Sequence, residues 1–514
     1  MKKKTRFPAL LFAAALLIAC LSPAAYAADG GLVISNPYGG IDWDTVGVYK
    51  TALHSHTNAS DGSQTLRQSL ERHLEAGFDI VAITDHGTVN YSWSDENADP
   101  LIHGGLKLLG RTGGELDYLG QRGVFANGTA YEMTRTDAGD DLLVADNGRR
   151  MLRMPYGIEQ NAISVNAHVN SWFADYSDNT VTTYRDAVRG VDAHGGVCVI
   201  NHPGEYTKAR YELHSADAYD PADPAYRYYI NLFADLIDRY DACIGIDINS
   251  KGDGRTRFDR ILWDTLLGRF AANGKTVSAI ASSDAHQQGV IDTGFTLLLM
   301  PTFDSAAARA ALENGTFFAA SHCLGNYDEL CEIAEALKAF YGENAVYRGV
   351  ADAAEEMRVR VAQIEDGTLP ADESVGVTWS SLGDDGRFAA ASFPAVRSVA
   401  VDNAAHTVTV ETENALLARL ISDGRQIDAL PAGNAVFDLD DYAGQLGDYV
   451  RIELFGEGGV VYTQAFLLNA ERCAETGPGR VTDGPRLDLG FFDFLFAEAH
   501  KLFGILRRSL GALR

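Results

Sequence analysis

A chain of 514 residues is too long for one compact core and implies two or three domains. Hydrophobic residues make up 46%, the ordinary level for a folded soluble protein. The formal net charge of −27 repels polyanions, which argues against a protein that tracks along DNA or RNA, though a metal cluster can still make one pocket attractive to a small anion.

Residues 1–27 read as an export signal. A basic start, "MKKKTR", precedes an apolar run, "FPALLFAAALLIACL", and "AYA" before Ala28 is a small-residue cleavage site. The apolar run is short for a membrane span. "LIAC", Leu17 to Cys20, resembles a bacterial lipoprotein signal, so a lipidated Cys20 stays open as an alternative. Either way the expected location is outside the cytoplasm, extracellular or associated with the cell envelope. Losing these residues, which hold four bases and no acid, would take the charge from −27 to −31.

Within a first domain expected over 28–325, residues from about 45 to 322 repeat one pattern. A short apolar run ends in a polar residue and a helix-like segment follows: "FDIVAITDHG", "GGVCVINHPG", "ACIGIDINS", "TVSAIASSDAH". Unbroken apolar runs indicate strands covered on both faces, as in parallel sheets. Helices are expected over 65–77, 182–196 and 258–274, several closed by glycine. Polar residues gathered just after strands match the catalytic face of an α/β barrel.

Residues 326–372 read as a helical connector, and 373–470 as a small β-sandwich of short alternating strands separated by turn residues such as "GDDG". Residues 471–514 read as a Gly/Pro-containing linker and an amphipathic helix, 487–514. That helix suits either a membrane surface or the protein's own flank. Without Cys20 five cysteines remain, with no CxxC. Cys198 and Cys243 read as buried thiols, and a Cys323–Cys331 pair is left open.

The chemistry concentrates in the first half. Histidine is scarce, 13 residues in all, yet "LHSHTNASDG" holds His54 and His56 two apart. On a strand this spacing puts both on one face, able to reach one ion. Asp61 follows in a turn, and His86 ends the next apolar run. Glu132 ("AYEMT"), His168, His202, Asp284 and His286 complete six histidines and three carboxylates. Nine ligands suit two or three divalent ions, whose charge exceeds that of three carboxylates and would attract phosphate. The seven remaining histidines are read as structural.

Four segments in order, "HSHTNASDG", "AITDHG", "NHPG" and "SSDAH", resemble the motifs of the PHP (polymerase and histidinol phosphatase) family over residues 45–322. The resemblance implies a distorted seven-stranded (βα)7 TIM-like barrel of the α/β class. It also implies two or three Zn, Mn or Fe ions and hydrolysis of phosphoesters. His54, His56 and Asp284 would bind one metal, with Glu132 bridging to a second completed by His168 and His202. Asp61, His86 and His286 would bind a third, Asp61 standing where some members carry histidine. Glu115 and Glu159 compete with Glu132. Catalytic roles would fall to His202 and, orienting ligands, to Asp85.

Metal coordination lowers the pKa of water from 15.7 toward about 7, which yields a nucleophile at neutral pH. Lys208, Arg210, Lys251 and Arg255 follow two of the polar strand ends and are candidates for binding a phosphorylated small molecule, nucleotides among them. No nucleic-acid polymer is expected as a partner.

Two other readings stand beside this one. An amidohydrolase-type metal hydrolase also uses His-x-His on a barrel strand, but it usually carries a barrel lysine, and no lysine lies between Lys107 and Lys208. A non-catalytic surface module is the other, although a relic barrel would be expected to have lost ligands.

Overall fold

The computed structural model describes residues 32–95, 100–108, 110, 112–160, 168–177, 183–207, 209, 212–248, 255–369, 379–380 and 391–469. The expected leader with Cys20 and the expected C-terminal helix 487–514 lie outside these residues. Among the described residues no helix is long and apolar enough to cross a membrane.

The first half is mixed α/β. Gly47–Ala52, Ile80–Val81 and Arg150–Arg153 run parallel in a 13-stranded sheet. Val197–Ile200, Cys243–Asp247 and Ser278–Ile280 run parallel in a 5-stranded sheet. Val197–Ile200 is buried along its whole length, as an unbroken apolar run requires. Gly245 lets its neighbour come close, since a Cβ there would lie 1.8 Å from the Ser278 carbonyl oxygen.

The expected helices form slightly shorter, as Leu66–Glu75, Tyr184–Ala193 and Asp259–Ala271. Thr65 with Gln68 and Thr183 with Asp186 build reciprocal caps that satisfy the orphan N–H groups of the first two. Leu66, Leu70 and Leu74 bury one face of the first.

The distorted seven-stranded barrel is not seen as a closed barrel: among the described residues the first-half strands fall mainly into two sheets, neither of them closed. The sheets touch at two isolated parallel bridges, Ser55↔Ala285 and His86↔Glu159. Both bridges lie where the chain leaves the extended ladder to present histidines and carboxylates. Antiparallel neighbours also break the βα repeat: Gly294–Met300 pairs with Gly47–Ala52, and Val169–Trp172 with Val197–Ile200.

The segment expected to be a helical connector forms Tyr327–Tyr341 and Ala345–Glu365, with Gly342 at φ +71° between them. The β region is less separate than its sequence implies. Ala395–Asp402, Thr407–Glu413 and Asn434–Asp438 make their own antiparallel sheet. Leu417–Ser422 and Tyr449–Gly456 instead continue the long sheet, through Gly459–Tyr462 onto Phe317–Ser321. Val399, Val410 and Phe437 of the small sheet share one core with Leu420, Ile452 and Leu454 of the long one. Cys198, Cys243 and Cys323 are buried, and the Cys323–Cys331 disulfide left open by the sequence is not formed.

A buried ionic network ties this β region to the first half. Arg451 donates to both carboxylate oxygens of Asp264, on the helix Asp259–Ala271, at 2.7 Å each. It also meets Glu453, which Arg419 shares; Arg419 reaches Glu329 and Glu332, and Arg260 meets Glu329. Burial would raise the Glu453 carboxyl, but Arg451, Arg419 and Arg260 hold it down to about 2. Its stabilising contribution is therefore present above its usual value of 4.5 and is lost as pH falls from there toward about 2. Asp264→Ala leaves the Arg451 guanidinium buried against one carboxylate fewer and should destabilise the fold by about 3–5 kcal/mol in chemical denaturation. A loss below about 1 kcal/mol, the worth of an exposed pair, would show the network to be dispensable.

Candidate metal centre

Most of the expected ligands sit in the loops that flank strand ends. His54 and His56 follow Gly47–Ala52, fully buried, with their Nε2 atoms 3.0 Å apart. The two-residue strand period delivers both rings to one point. The loop beyond them is pinned by Asp85. Its carboxylate accepts from the Thr57 backbone N–H and hydroxyl, both at 2.7 Å, and from the Ser60 hydroxyl at 2.6 Å. Ser60 Oγ in turn lies 3.3 Å from His56 Nδ1. Gly62 closes the loop, where a Cβ would come within 2.8 Å of the His56 carbonyl.

His202 follows Val197–Ile200, and Asp284 and His286 follow Ser278–Ile280. His202 at φ +23° and Asp284 at φ +47° have left-handed backbones, a conformation that costs on the order of 1–3 kcal/mol outside glycine. Such strain persists only where surrounding structure imposes it.

One expected ligand lies away from the cluster. Glu132 lies on Ala130–Arg135, where alternation buries Tyr131 and Met133 and turns Glu132 outward; its carboxylate is 64% exposed and faces Arg122 at 3.5 Å. Glu115 is exposed as well. Glu159, on Ile158–Gln160, takes the central place with its side chain 1% exposed. Its Oε2 lies 3.2, 3.1 and 3.3 Å from nitrogens of His54, His56 and His86. Its Oε1 lies 2.9 Å from His168 Nδ1 and 3.5 Å from His202 Nε2, and accepts from Asn201 Nδ2 at 2.8 Å. The segment "YGIEQNA" has no apolar run to announce a strand; the helpful signal was the outward register of "YEMT".

Asp284 Oδ1 lies 3.1 Å from both His54 and His56, and Oδ2 lies 3.7 Å from His202. Asp61 approaches His286 at 3.3 Å, His56 at 3.6 Å and His86 at 3.7 Å. Three sets can each converge on one ion, with ligand atoms within 4.8 Å of one another: His54, Glu159, His202 and Asp284; His56, Asp61, His86 and His286; and His86, Glu159 and His168. The grouping differs from the expected one, because His56 joins the Asp61 set and His202 joins the His54 set.

The donor set fits divalent metal. Zn–N bonds of about 2.0–2.1 Å in a tetrahedron put ligand atoms about 3.3 Å apart, and the observed separations straddle that value. Among the described residues, His202 Nε2 and His86 Nδ1 are buried without an aligned hydrogen bond, although Glu159 lies close to both. Converging lone pairs explain this better than donor–acceptor pairs.

Electrostatics within the cluster favour ionised carboxylates. Burial would raise Glu159, yet His168, His86 and His54 hold it well below the usual carboxylate range. Burial likewise opposes the ionisation of Asp61, and His286 and His86 overcome it and lower its pKa. Burial depresses His86 to about 3 and also lowers His54. His56 is held up against burial by Asp284 and Glu159. His286 is likewise held up against burial, by Asp284 and Asp61, so the carboxylates are already ionised as coordination requires, while His56 and His286 would each give up a proton to bind an ion.

The candidate substrate cations fare differently. Lys208, Arg210 and Lys251 lie outside the described residues. Arg255 donates Nη1 to Glu205 at 2.7 Å, with its side chain 21% exposed. Away from the centre, His73, His103, His194 and His322 bind backbone carbonyls, and His214 and His406 bind aspartates; His500 lies outside the described residues.

No family model and no curated protein matches the chain. Among solved structures it is similar to a two-domain protein from Bacteroides vulgatus containing a predicted PHP-like metal-dependent phosphoesterase. Identity is 14%, covering 83% of this chain and 97% of that one, with a TM-score of 0.31. It is also similar to PsfC from Pseudomonas syringae, at 14% identity over 50% of this chain and 83% of that one, TM-score 0.28. Superpositions this loose carry no functional argument, and the assignment rests on the site.

Elemental mass spectrometry distinguishes the two glutamates. Glu159→Ala should lose most bound transition metal, and Glu132→Ala should retain the wild-type content. The reverse result would return the bridging role to Glu132.

Proposed function

We propose that this protein is an exported, metal-dependent phosphoesterase of the PHP type that hydrolyses small phosphate esters. The observation that carries this reading is the convergence of six imidazoles and three carboxylates, drawn from separate strand ends, at ligand-to-ligand distances. Two or three Zn, Mn or Fe ions would be held by the three sets named above. When bound, such ions offset phosphoryl charge and lower the pKa of water, the two demands of phosphoester hydrolysis.

The chain's own residues do the rest. Glu159 and Asp284, 1% exposed, form the floor. His286, Asp61 and His168, at 37, 26 and 21% side-chain exposure, form an open side where a substrate can approach. Asp85 fixes the loop carrying Asp61 and, through Ser60, steadies His56. It acts as a positioning residue and touches no reacting atom. His202 is a ligand in this account. With two or three divalent ions bound, the pocket would carry net positive charge and suit small phosphate esters, nucleotides within the class. Export is supported by the basic and apolar start of the sequence and its small-residue site.

His202→Ala should lower hydrolysis of p-nitrophenyl phosphate or bis-p-nitrophenyl phosphate by on the order of 100-fold or more, since ligand loss forfeits several kcal/mol of charge stabilisation. Chelation should abolish turnover and added Mn or Zn restore it. Wild-type turnover in His202→Ala would remove the metal centre from the reaction.

A further inference from the structure

The expected substrate-binding role of Arg255 gives way to a different one. We infer that Glu205 and Arg255 form a positioning pair that aims the His202 imidazole at the metal cluster. This rests on the metal-dependent reading above.

Glu205 Oε2 lies 3.2 Å from His202 Nδ1, the ring nitrogen remote from Glu159 and Asp284. The contact is a close approach without full hydrogen-bond alignment, and the terminal carboxylate torsion is soft enough to align it at little cost. An acceptor at Nδ1 keeps the proton there and leaves the Nε2 lone pair for the ion. Arg255 Nη1 donates to the other oxygen, Glu205 Oε1, at 2.7 Å, so each carboxylate oxygen has its own neighbour. The Glu205 side chain is 9% exposed, which makes the Arg255 charge its local compensation.

The backbone is built for the same contact. His202 occupies φ +23° and opens the short helical turn Pro203–Glu205, which brings Glu205 back under the ring. Gly204 allows the loop bearing Arg255 to dock: a Cβ at this position would lie 2.3 Å from the Arg255 carbonyl oxygen. Two loops that follow different strands, Val197–Ile200 and Cys243–Asp247, are thereby locked together behind one ligand.

Removal of a carboxylate that orients a metal-bound histidine typically weakens metal affinity 10–100-fold. The test measures affinity for Zn by chelator competition, and the visible spectrum after Co loading, in wild type, Glu205→Ala and Arg255→Ala, each first compared by circular dichroism. Glu205→Ala is expected to bind Zn about 10–100-fold more weakly, with an altered Co spectrum, and Arg255→Ala to weaken binding less. Wild-type affinity and spectrum in a folded Glu205→Ala would overturn the inference while leaving the metal reading intact. If Glu205→Ala does not fold, Arg255→Ala decides, and unchanged affinity there overturns it. A wild-type protein that binds neither metal would instead overturn the metal reading itself.

Discussion

Glu159 and Asp284 are nearly sealed from water, and nitrogens of His54, His56 and His202 lie within 3.7 Å of one or both carboxylates. Two buried negative charges make an expensive arrangement unless cations join them. Much of the architecture follows from that constraint. Ligands must come from many strand ends at once, so the two sheets are brought together at Ser55↔Ala285 and His86↔Glu159, each bridge beside ligand residues. The left-handed backbones of His202 and Asp284 are local distortions sustained by the packing around the cluster.

Behind the ligands stand groups that touch no ion in this account. Asp85 organises the turn after His56 through three hydrogen bonds. Asn201 holds Glu159 from one side. The β region contributes at longer range: its Arg451 clasps Asp264 on the helix that follows the Arg255 loop. A site whose geometry must hold to fractions of an ångström gains from such support.

Eight of the nine residues gathered in the cluster were legible because they fall at the ends of visible apolar runs or in short His/Asp motifs. His54 and His56 show how the strand period alone supplies a geometric argument. Glu132 misled because local motif likeness outweighed its register between two apolar residues, and Glu159 hid in a three-residue strand with no apolar run. The barrel expectation reflected real βα repetition. Closure depends on strand pairing across the seams, which periodicity does not encode. The same limit applies to Tyr449–Gly456: its sequence marks it as a strand, but not that it extends the first half's sheet.

The most direct test is anomalous X-ray diffraction from crystals of the metal-loaded protein, collected on both sides of the Zn or Mn absorption edge. The account predicts at least two anomalous peaks, one among His54, Glu159, His202 and Asp284 and one among His56, Asp61, His86 and His286. Well-ordered side chains with no anomalous peak between them, and imidazoles hydrogen-bonded to the carboxylates instead, would contradict it.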